Sequence, residues 1–332
     1  MPPAKPVSGS RLLVADIGGT NARFAIADLE TLALSGIEEL QCARHSSLFE
    51  AMRAYLDRLD DPPAEAAIAV AGPVVDERVS LTNSAWSFTK TELCSRSGLN
   101  SVLVLNDLQA LALSISTLDG SDLHRIGGSE AEPEATKLVL AAGTGMGAST
   151  LVWTGAKWLA MPGEGGHISF AARTKRERDL IDLLYADQPH VPVDRVVSGP
   201  GLANLYQGIA KLDGAKAEAL LPNDVLTRGL SRSDAIAEEA LELFITWLGR
   251  FAGDAALMVG ARGGVYIGGG LAPRIVEALS TGLFRRSFDE KGQMQGFLEP
   301  IPVYVILAKF AALKGAAVGF RQHFKDAEPT LG

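Results

Sequence analysis

Short apolar runs alternate with glycine turns and helix-periodic stretches through the first third of the chain. Apolar residues fill most of positions 12–15 and 23–27, on either side of the segment Asp16-Ile17-Gly18-Gly19-Thr20, and this pattern predicts a β-hairpin. Helical spacing over 47–58 and 108–115 predicts two helices, and the runs 67–70 and 102–105 predict two further strands. Strands that alternate with helices in this way indicate an α/β protein.

The opening pattern recurs in the second half of the chain. Residues 138–142 and 148–153 are again apolar, and Gly143-Thr144-Gly145-Met146-Gly147 lies between them. When the two copies are aligned, their apolar positions coincide, whereas Asp16 falls opposite Ala142. The polar stretch 118–136 precedes the second copy. We therefore expect two related α/β lobes, each with a glycine hairpin, and a domain change within that stretch.

The remaining elements follow a similar rhythm. A single apolar face over 231–258 predicts a long helix, and the strand predicted at 265–267 runs into Gly268-Gly269-Gly270. Pro273 suits the first turn of a new helix. The chain is expected to close with a strand at 303–307 and a helix at 310–324.

Composition narrows the classes of protein. The 332 residues carry 31 basic and 39 acidic side chains, a net charge of −8, which disfavours a nucleic-acid partner because no basic excess is available. Two cysteines cannot build a disulfide scaffold or a cysteine zinc site, and they suit a cytoplasmic protein. No apolar run approaches the ~20 residues that span a bilayer, so no membrane partner is expected.

Several phosphate-binding signatures are absent. No Gly-Lys dipeptide is available for a Walker A loop, and His124-Arg125 is not followed by the aspartate of protein kinases. The spacing Gly143-x-Gly145-x-x-Ala148 resembles a dinucleotide fingerprint, but the residues that follow are β-formers where that fingerprint opens a helix.

The turn after the first strand has two readings. Its glycines would let backbone N–H groups approach phosphate oxygens, Thr20 could add a hydroxyl, and Asp16 could hold a hydrated Mg²⁺. The same residues could instead form an ordinary hairpin turn with a capping aspartate. The second glycine hairpin favours phosphate binding, because two such loops can grip one polyphosphate.

An ordered set of motifs resembles the bacterial glucokinase family of the actin-like, hexokinase-type ATPases. In chain order the motifs are Asp16-Ile17-Gly18-Gly19-Thr20-Asn21-Ala22-Arg23, Leu105-Asn106-Asp107, Gly143-Thr144-Gly145-Met146-Gly147, Gly163-Glu164-Gly165-Gly166-His167, Ser198-Gly199-Pro200-Gly201-Leu202 and Gly269-Gly270-Leu271-Ala272-Pro273-Arg274. The resemblance covers residues 12–322 and implies a two-lobed actin-like (ribonuclease H-like) ATPase fold with a catalytic cleft between the lobes. It further implies a small α/β domain of residues 1–117 plus 308–332, a large one of 118–307, and a homodimer.

The activity implied by the resemblance is ATP-dependent phosphorylation of the 6-hydroxyl of D-glucose to glucose 6-phosphate, with ATP and Mg²⁺ required. Asp107 matches the family's catalytic base. A carboxylate at a strand end can accept the hydroxyl proton, although Asp107 also precedes the helix at 108–115 and from the residues alone could equally be its N-cap. The sugar ligands implied are Asn106, Asp107, Glu164, His167 and Asp194. The nucleotide ligands implied are Ala15, Asp16, Ile17, Gly18, Gly19, Thr20, Gly143, Thr144, Gly145 and Gly269, with Asp16 reaching Mg²⁺ through water.

The departures from the family pattern include Ala15 and Asp194, and two other functions stay open. Ala15 stands where the family commonly has glycine, and Asp194 stands where it usually has glutamate, so the carboxylate reaches one methylene less far. His167 alone could be a structural histidine, but its place three residues after Glu164 in a glycine-rich loop favours a ligand. The alternatives are a kinase for another hexose or amino sugar and a non-catalytic sugar- or nucleotide-binding protein.

Overall fold

The computed structural model describes residues 10–72, 74, 78–81 and 86–324. The strands are β1 Arg11–Ile17, β2 Asn21–Asp28, β3 Leu34–Gln41, β4 Glu65–Val70, β5 Arg78–Ser80, β6 Ser87–Thr89, β7 Ser101–Asn106, β8 Leu123–Gly127, β9 Lys137–Ala142, β10 Met146–Trp153, β11 Trp158–Gly163, β12 Val265–Gly268 and β13 Val303–Ile306. The α-helices are α1 Leu48–Leu56, α2 Lys90–Ser97, α3 Asp107–Ser114, α4 Lys175–Tyr185, α5 Val193–Val196, α6 Gly199–Leu212, α7 Pro222–Ser231, α8 Ala235–Val259, α9 Val276–Leu279, α10 Leu283–Asp289, α11 Gln295–Leu298 and α12 Ala311–Phe324. Short 3₁₀ helices lie at Cys42–Arg44, Ile115–Thr117, Gly165–His167, Ala272–Ile275 and Gly292–Met294.

The chain divides into two compact units. Unit 1 contains the described residues up to Leu118 together with those from Ala308 onward, and unit 2 is Asp119–Leu307. Each unit has its own buried core, built around Phe24 and Ile68 in unit 1 and around Phe244 and Trp247 in unit 2. In the part of the chain that the structure describes, no helix combines the length and apolar character that crossing a bilayer requires.

The two main sheets have the same topology. The strand order is β3-β2-β1-β4-β7 in unit 1 and β11-β10-β9-β12-β13 in unit 2, where β8 adds a sixth strand at the edge. With β8 left aside, the first three strands of each sheet pair antiparallel, and the other two extend the sheet parallel to the first strand. The recurrence predicted from the glycine hairpins is therefore present as a repeated sheet. The copies are not identical, because four residues separate the last paired positions of the β1–β2 turn and three separate those of the β9–β10 turn.

Two predicted boundaries differ from the structure. The polar stretch 118–136, for which we predicted a domain change and no strand, contains Leu123–Gly127, which form β8 and pair with β13. Mixed polar residues along β8 hide it, since an edge strand needs little apolar surface. The long helix begins at Ala235 rather than near 231, because Ser231 ends α7 and Asp234 caps α8 through the N–H groups of Ile236 and Ala237.

A buried ion pair stabilises unit 2. Glu177 on α4 is 3% exposed and lies 2.8 Å from Nη1 of Arg250 on α8. Its Oε2 also accepts the backbone N–H groups of Arg173 and Thr174. Burial alone would raise the pKa of Glu177, but these donors and the guanidinium outweigh it, so the pKa lies below its ordinary value. Glu177 therefore stays ionised in the folded protein.

Glu177→Gln should lower the free energy of unfolding by about 3–5 kcal/mol at pH 7, because it leaves a buried guanidinium without its counter-charge. Since the folded pKa is depressed, the loss relative to wild type should be constant above about pH 5. It should shrink only in acid, starting near the unfolded-state pKa of about 4.3, where the unfolded wild-type chain takes up a proton, and it should disappear as the pH falls through the depressed pKa of the folded state. Urea titrations of both proteins at several pH values measure this difference. The double variant Glu177→Gln/Arg250→Met should regain much of the stability, and a double variant no more stable than the single one would contradict this assignment.

Candidate functional site

The glycine turn of unit 1 and the predicted catalytic residues lie at the same edge of one sheet. Strands β1, β4 and β7 are parallel, and Ile17, Val70 and Asn106 lie opposite one another in register. Their carboxyl ends therefore coincide. Two strand spacings place Asn106 about 10 Å from the start of the turn.

Hydrogen bonds fix the conformation of the turn. The Gly18 N–H donates to the Asn21 carbonyl at 2.9 Å, and the Cys42 N–H donates to the Thr20 carbonyl at 2.8 Å. The Cys42 thiol also lies 3.5 Å from the Gly18 carbonyl. Cys42 thus contacts the turn from the end of β3. Sequence reasoning did not identify it, because nothing near position 42 signals a contact with residues more than twenty positions earlier.

Asp16 lies in an ion-pair chain at the end of β1. It is the direct cross-strand partner of Arg23, whose Nη1 lies 3.2 Å from Asp16 Oδ2, and Arg23 Nε lies 2.6 Å from Oε2 of Glu39. Burial raises the pKa of Asp16, and the guanidinium of Arg23 opposes that rise only in part. The neighbouring Ala15 and Ile17 are fully buried in the core, so they could offer a ligand only backbone groups.

Asn106, and not Asp107, is the N-cap of α3. Its Oδ1 accepts the N–H groups of Leu108 and Gln109 at 3.0 and 3.2 Å, and its Nδ2 donates to the Gly72 carbonyl at 3.0 Å. Since the carboxamide oxygen already has two donors, Asn106 could contact a sugar only through its second amide hydrogen. Asp107 is the first helical residue, is half-buried, and accepts the Leu108 N–H at 2.9 Å.

The glycine turn of unit 2 lies against the start of a helix. The Gly143 N–H donates to the Gly145 carbonyl at 2.9 Å, and the Gly143 carbonyl accepts the N–H of Gly199, the first residue of α6. Ser198 caps α6 through the N–H of Gly201. The N-terminal end of α6, which is the positive end of its helix dipole, therefore lies against this turn, and this favours an anion there.

The glycines of this region serve two different purposes. At Gly143 a Cβ would meet no described atom within 4 Å, and at Gly145 the nearest atom would be Oδ2 of Asp194 at 3.9 Å. The fold does not require glycine at either position, and what glycine preserves there is open space above the backbone. Gly269 differs, because its φ is +86° and a Cβ would overlap the Ala142 carbonyl oxygen. Gly269 is needed to build the edge.

Gly143→Ala should therefore fold normally and weaken nucleotide binding. A methyl group at this open position would keep a phosphate from the turn, and the loss of one charge-assisted hydrogen bond corresponds to roughly 10-fold or more in the KM for ATP. Thermal melts and ATP titrations check the two parts. Gly269→Ala is the matched control and should lower the melting temperature instead. Wild-type ATP affinity in Gly143→Ala would remove this turn from the nucleotide site.

Unit 2 brings the remaining predicted sugar ligands to one neighbourhood. The 3₁₀ turn Gly165–His167 follows β11, and Glu164 Oε2 lies 3.8 Å from His167 Nε2. Both side chains are exposed. A hydrogen bond from the Val193 N–H to the Ile168 carbonyl ties α5, and with it Asp194, to this turn. His167 and Asp194 line a cavity of about 310 Å³, and its other lining residues are Thr144, Pro192, Arg195, Ser198, Pro200 and Asn204.

Two further details concern the same neighbourhood. Asp194 Oδ1 is buried and has no hydrogen-bond partner among the described residues, and Asp194 forms no ion pair with Arg195 there. His190 Nε2 donates to the His167 carbonyl at 2.9 Å, so His190 braces the turn. The sequence around His190 gives no sign of this contact.

Comparisons with known proteins agree with this geometry. A sequence model of the glucokinase family, described as "Glucokinase", matches residues 13–323. A glucokinase of Tolumonas auensis is 38% identical over 94% of this chain and 97% of its own. The crystal structure of a glucokinase from an Antarctic psychrotroph superposes with a TM-score of 0.84 at 34% identity, covering 95% of this chain and 100% of that one. A ROK-family glucokinase from Streptomyces griseus, solved with glucose and AMPPNP, shares the fold at a TM-score of 0.66 and 20% identity, over 94% and 99% of the two chains.

The repeated sheets, the two glycine turns and these likenesses define a sugar kinase with the actin-like ATPase fold. The expected fold class is thereby confirmed. Within that class, the chain belongs to the glucokinase family.

Proposed function

We propose that this chain transfers the γ-phosphoryl group of ATP to the 6-hydroxyl of D-glucose. The match to the glucokinase family over residues 13–323 carries the proposal. The predicted site residues support it, since each unit brings its own set of them to one edge of its sheet.

Asp107 is proposed as the general base. As the 6-hydroxyl oxygen attacks the γ-phosphorus, its proton would pass to the Asp107 carboxylate, and ADP would leave with the electrons of the broken P–O bond. The capping arrangement supports this role: Asn106 satisfies the first N–H groups of α3, so Asp107 is not required as the cap. A helix N-terminus also favours the ionised carboxylate, the form that can accept a proton.

The other sugar ligands have complementary hydrogen-bonding abilities. Asn106 would donate its second amide hydrogen to a sugar oxygen. Glu164 and Asp194 would accept from sugar hydroxyls, and His167 can do either, depending on its tautomer. The orphaned Oδ1 of Asp194 supports this assignment, because a buried carboxylate oxygen without a donor is costly until a ligand provides one.

The nucleotide is assigned to the glycine turns. The turns at Gly18–Thr20 and Gly143–Gly145 would supply N–H groups to the phosphates, and AMPPNP in the Streptomyces griseus protein supports a triphosphate as donor. Asp16 fits a magnesium site of the hydrated kind, because Mg²⁺ commonly keeps several waters and uses one or two carboxylates plus phosphates. Bound there, Mg²⁺ would neutralise charge that develops on the phosphates.

A coupled assay of ADP release over a sugar panel tests the proposal. The panel holds glucose, mannose, fructose, glucosamine and N-acetylglucosamine, each with ATP and Mg²⁺. The highest kcat/KM is expected with glucose, and the product should be glucose 6-phosphate. A higher kcat/KM with another sugar would favour a kinase for that sugar, and no sugar-dependent ADP release at all would favour a non-catalytic binding protein.

Asp194→Ala should raise the KM for glucose by about 10-fold or more. A hydrogen bond to a charged acceptor contributes about 1.5–3 kcal/mol, and the buried Oδ1 of Asp194 has no donor among the described residues that would compete with a sugar hydroxyl. The KM for ATP should change less than about twofold. Asp194→Glu, which restores the usual family residue, should keep the activity, and Asp187→Ala on the exposed loop nearby is the control. An unchanged glucose KM in Asp194→Ala would remove Asp194 from the sugar site.

Three wider features belong to the same proposal. Units 1 and 2 would be the small and large domains of the enzyme. Cys42 and Cys94 are not joined in a disulfide, which suits a reducing compartment and supports a cytoplasmic location. A homodimer is expected from the family resemblance, and sedimentation velocity tests it.

A further inference from the structure

Arg23 lies beside the proposed nucleotide site, and the function proposed above gives it no role. It lies opposite Asp16 in the β1–β2 ladder, at the end of the hairpin next to the Gly18–Thr20 turn. Directly paired residues of a ladder project to the same face of the sheet. The guanidinium is therefore on the same side as the carboxylate assigned to magnesium, and a few residues from the N–H groups assigned to phosphate.

The contacts of Arg23 are unequal. Its Nε lies 2.6 Å from Glu39, whereas its Nη1 lies 3.2 Å from Asp16. Charge-assisted N–H···O bonds are usually 2.7–2.9 Å, so the contact with Asp16 is the weaker one. About a third of the Arg23 side chain is exposed, 35%, and the pairs recorded among the described residues use two of its five N–H donors. Arg23 can thus release Asp16 while Glu39 still holds it.

Asp16 is the partner that needs a cation. Its side chain is only 21% exposed, and its contact with Arg23, at 3.2 Å, is longer than a charge-assisted hydrogen bond usually is. Arg23 therefore compensates the negative charge of Asp16 only in part. A second cation, brought in with the nucleotide, would stabilise it further.

We propose that Arg23 is a phosphate-binding residue, and that its pair with Asp16 is the resting form of the nucleotide site. This rests on the proposed function, since it assumes that the Gly18–Thr20 turn receives the phosphates of ATP. When the nucleotide enters, Nη1 of Arg23 moves from Asp16 to a phosphate oxygen, and Asp16 is left to hydrated Mg²⁺. A planar guanidinium suits this exchange, because it can bind a phosphate through two parallel N–H donors. No covalent bond changes.

Calorimetric titration with ADP, with and without Mg²⁺, tests the exchange. Arg23→Gln should weaken Mg²⁺-free ADP binding by about 10- to 100-fold, the effect of one charge-assisted contact. The loss with Mg²⁺ present should be smaller, because the metal then neutralises both the phosphates and Asp16. Arg23→Lys keeps the charge but loses the forked geometry, so it should fall between wild type and Arg23→Gln. If Arg23→Gln does not fold, Arg23→Lys alone tests the proposal, and its Mg²⁺-free affinity for ADP should be at least about threefold lower than that of wild type.

Arg58→Gln is the matched control. Arg58 forms an equivalent surface pair with Glu38 on β3 of the same sheet, and ADP affinity should be unchanged when it is replaced. If Arg23 only orients Asp16, the pattern reverses: Mg²⁺-free ADP binds as in wild type and only the Mg²⁺-dependent part is lost. That result would overturn the inference. Glucose-dependent ADP release by wild type is measured on the same preparation, so that a failure of the proposed function is seen separately from a failure of the Arg23 assignment.

Discussion

Asp107→Asn is expected to lower kcat by about 10²- to 10⁴-fold while glucose still binds, which is the usual contribution of a general base. The amide keeps the shape of the carboxylate and can still hydrogen-bond a hydroxyl, but it cannot take up the proton of the attacking oxygen. The loss should therefore appear in kcat, with the KM for glucose changed only slightly. Steady-state kinetics, together with calorimetric titration of glucose, separate the two effects.

Asn106 caps α3, so Asp107→Asn leaves the cap of the helix in place, and the weaker interaction with the helix dipole corresponds to about 0.3–1 kcal/mol. Asp61→Asn, at an exposed ion pair with Arg11, is the matched control and should keep wild-type kcat. More than about a tenth of wild-type turnover in folded Asp107→Asn would show that another group, or solvent, accepts the proton.

The adjacent residues Asn106 and Asp107 also show where sequence reasoning stops. Asparagine and aspartate are equally good N-caps, so the dipeptide alone could not assign the cap. Backbone conformation decides it: Asn106 has extended φ and ψ angles, −66° and 147°, and Asp107 is already helical. The residue types predicted a helix cap and a general base at this point of the chain, and the backbone conformation assigns the cap to Asn106.

The sheets were easier to predict than the contacts between distant segments. Apolar runs with glycine turns identified β1, β2, β9 and β10, because buried strands beside a hairpin have a strong local signal. Edge strand β3 carries mostly exposed residues and gave no such signal. The thiol of Cys42 beneath the turn depends on how β3 returns to the hairpin, which no local pattern records.

The glycines at the sheet edge of unit 2 could not be told apart from the sequence either. From the sequence, Gly143, Gly145 and Gly269 all looked like backbone left open for a phosphate. The structure separates them, since a side chain at Gly143 or Gly145 would meet open space and one at Gly269 would collide with the Ala142 carbonyl. The sequence shows that glycines are frequent at this edge of the sheet. Only the atoms around each glycine show whether the fold requires it.

Gly166→Ala is the second substitution with a large expected effect. Gly166 is buried in the turn that carries Glu164 and His167, and a Cβ there would overlap the Met146 carbonyl oxygen at the start of β10. Neither backbone segment can move without displacing either the turn that carries Glu164 and His167 or the Gly143–Gly145 hairpin. A displacement of about 1 Å can cost roughly 100-fold in rate, so kcat/KM for glucose should fall by at least that factor. Overpacking should also lower the unfolding free energy by about 1–3 kcal/mol.

Gly163→Ala is the matched control for this effect. It lies three residues earlier in the same glycine-rich segment, but the nearest atom to its Cβ would be the Ala148 carbonyl oxygen at 3.7 Å, an ordinary contact. It should therefore keep kcat/KM within about threefold. Kinetics and thermal melts of the two variants, made side by side, distinguish a steric requirement at one glycine from a general need for flexibility in the turn. If both variants lost activity equally, flexibility would be the cause. If Gly166→Ala kept wild-type kcat/KM, the close contact between the sugar turn and β10 would have no part in holding Glu164 and His167 in place.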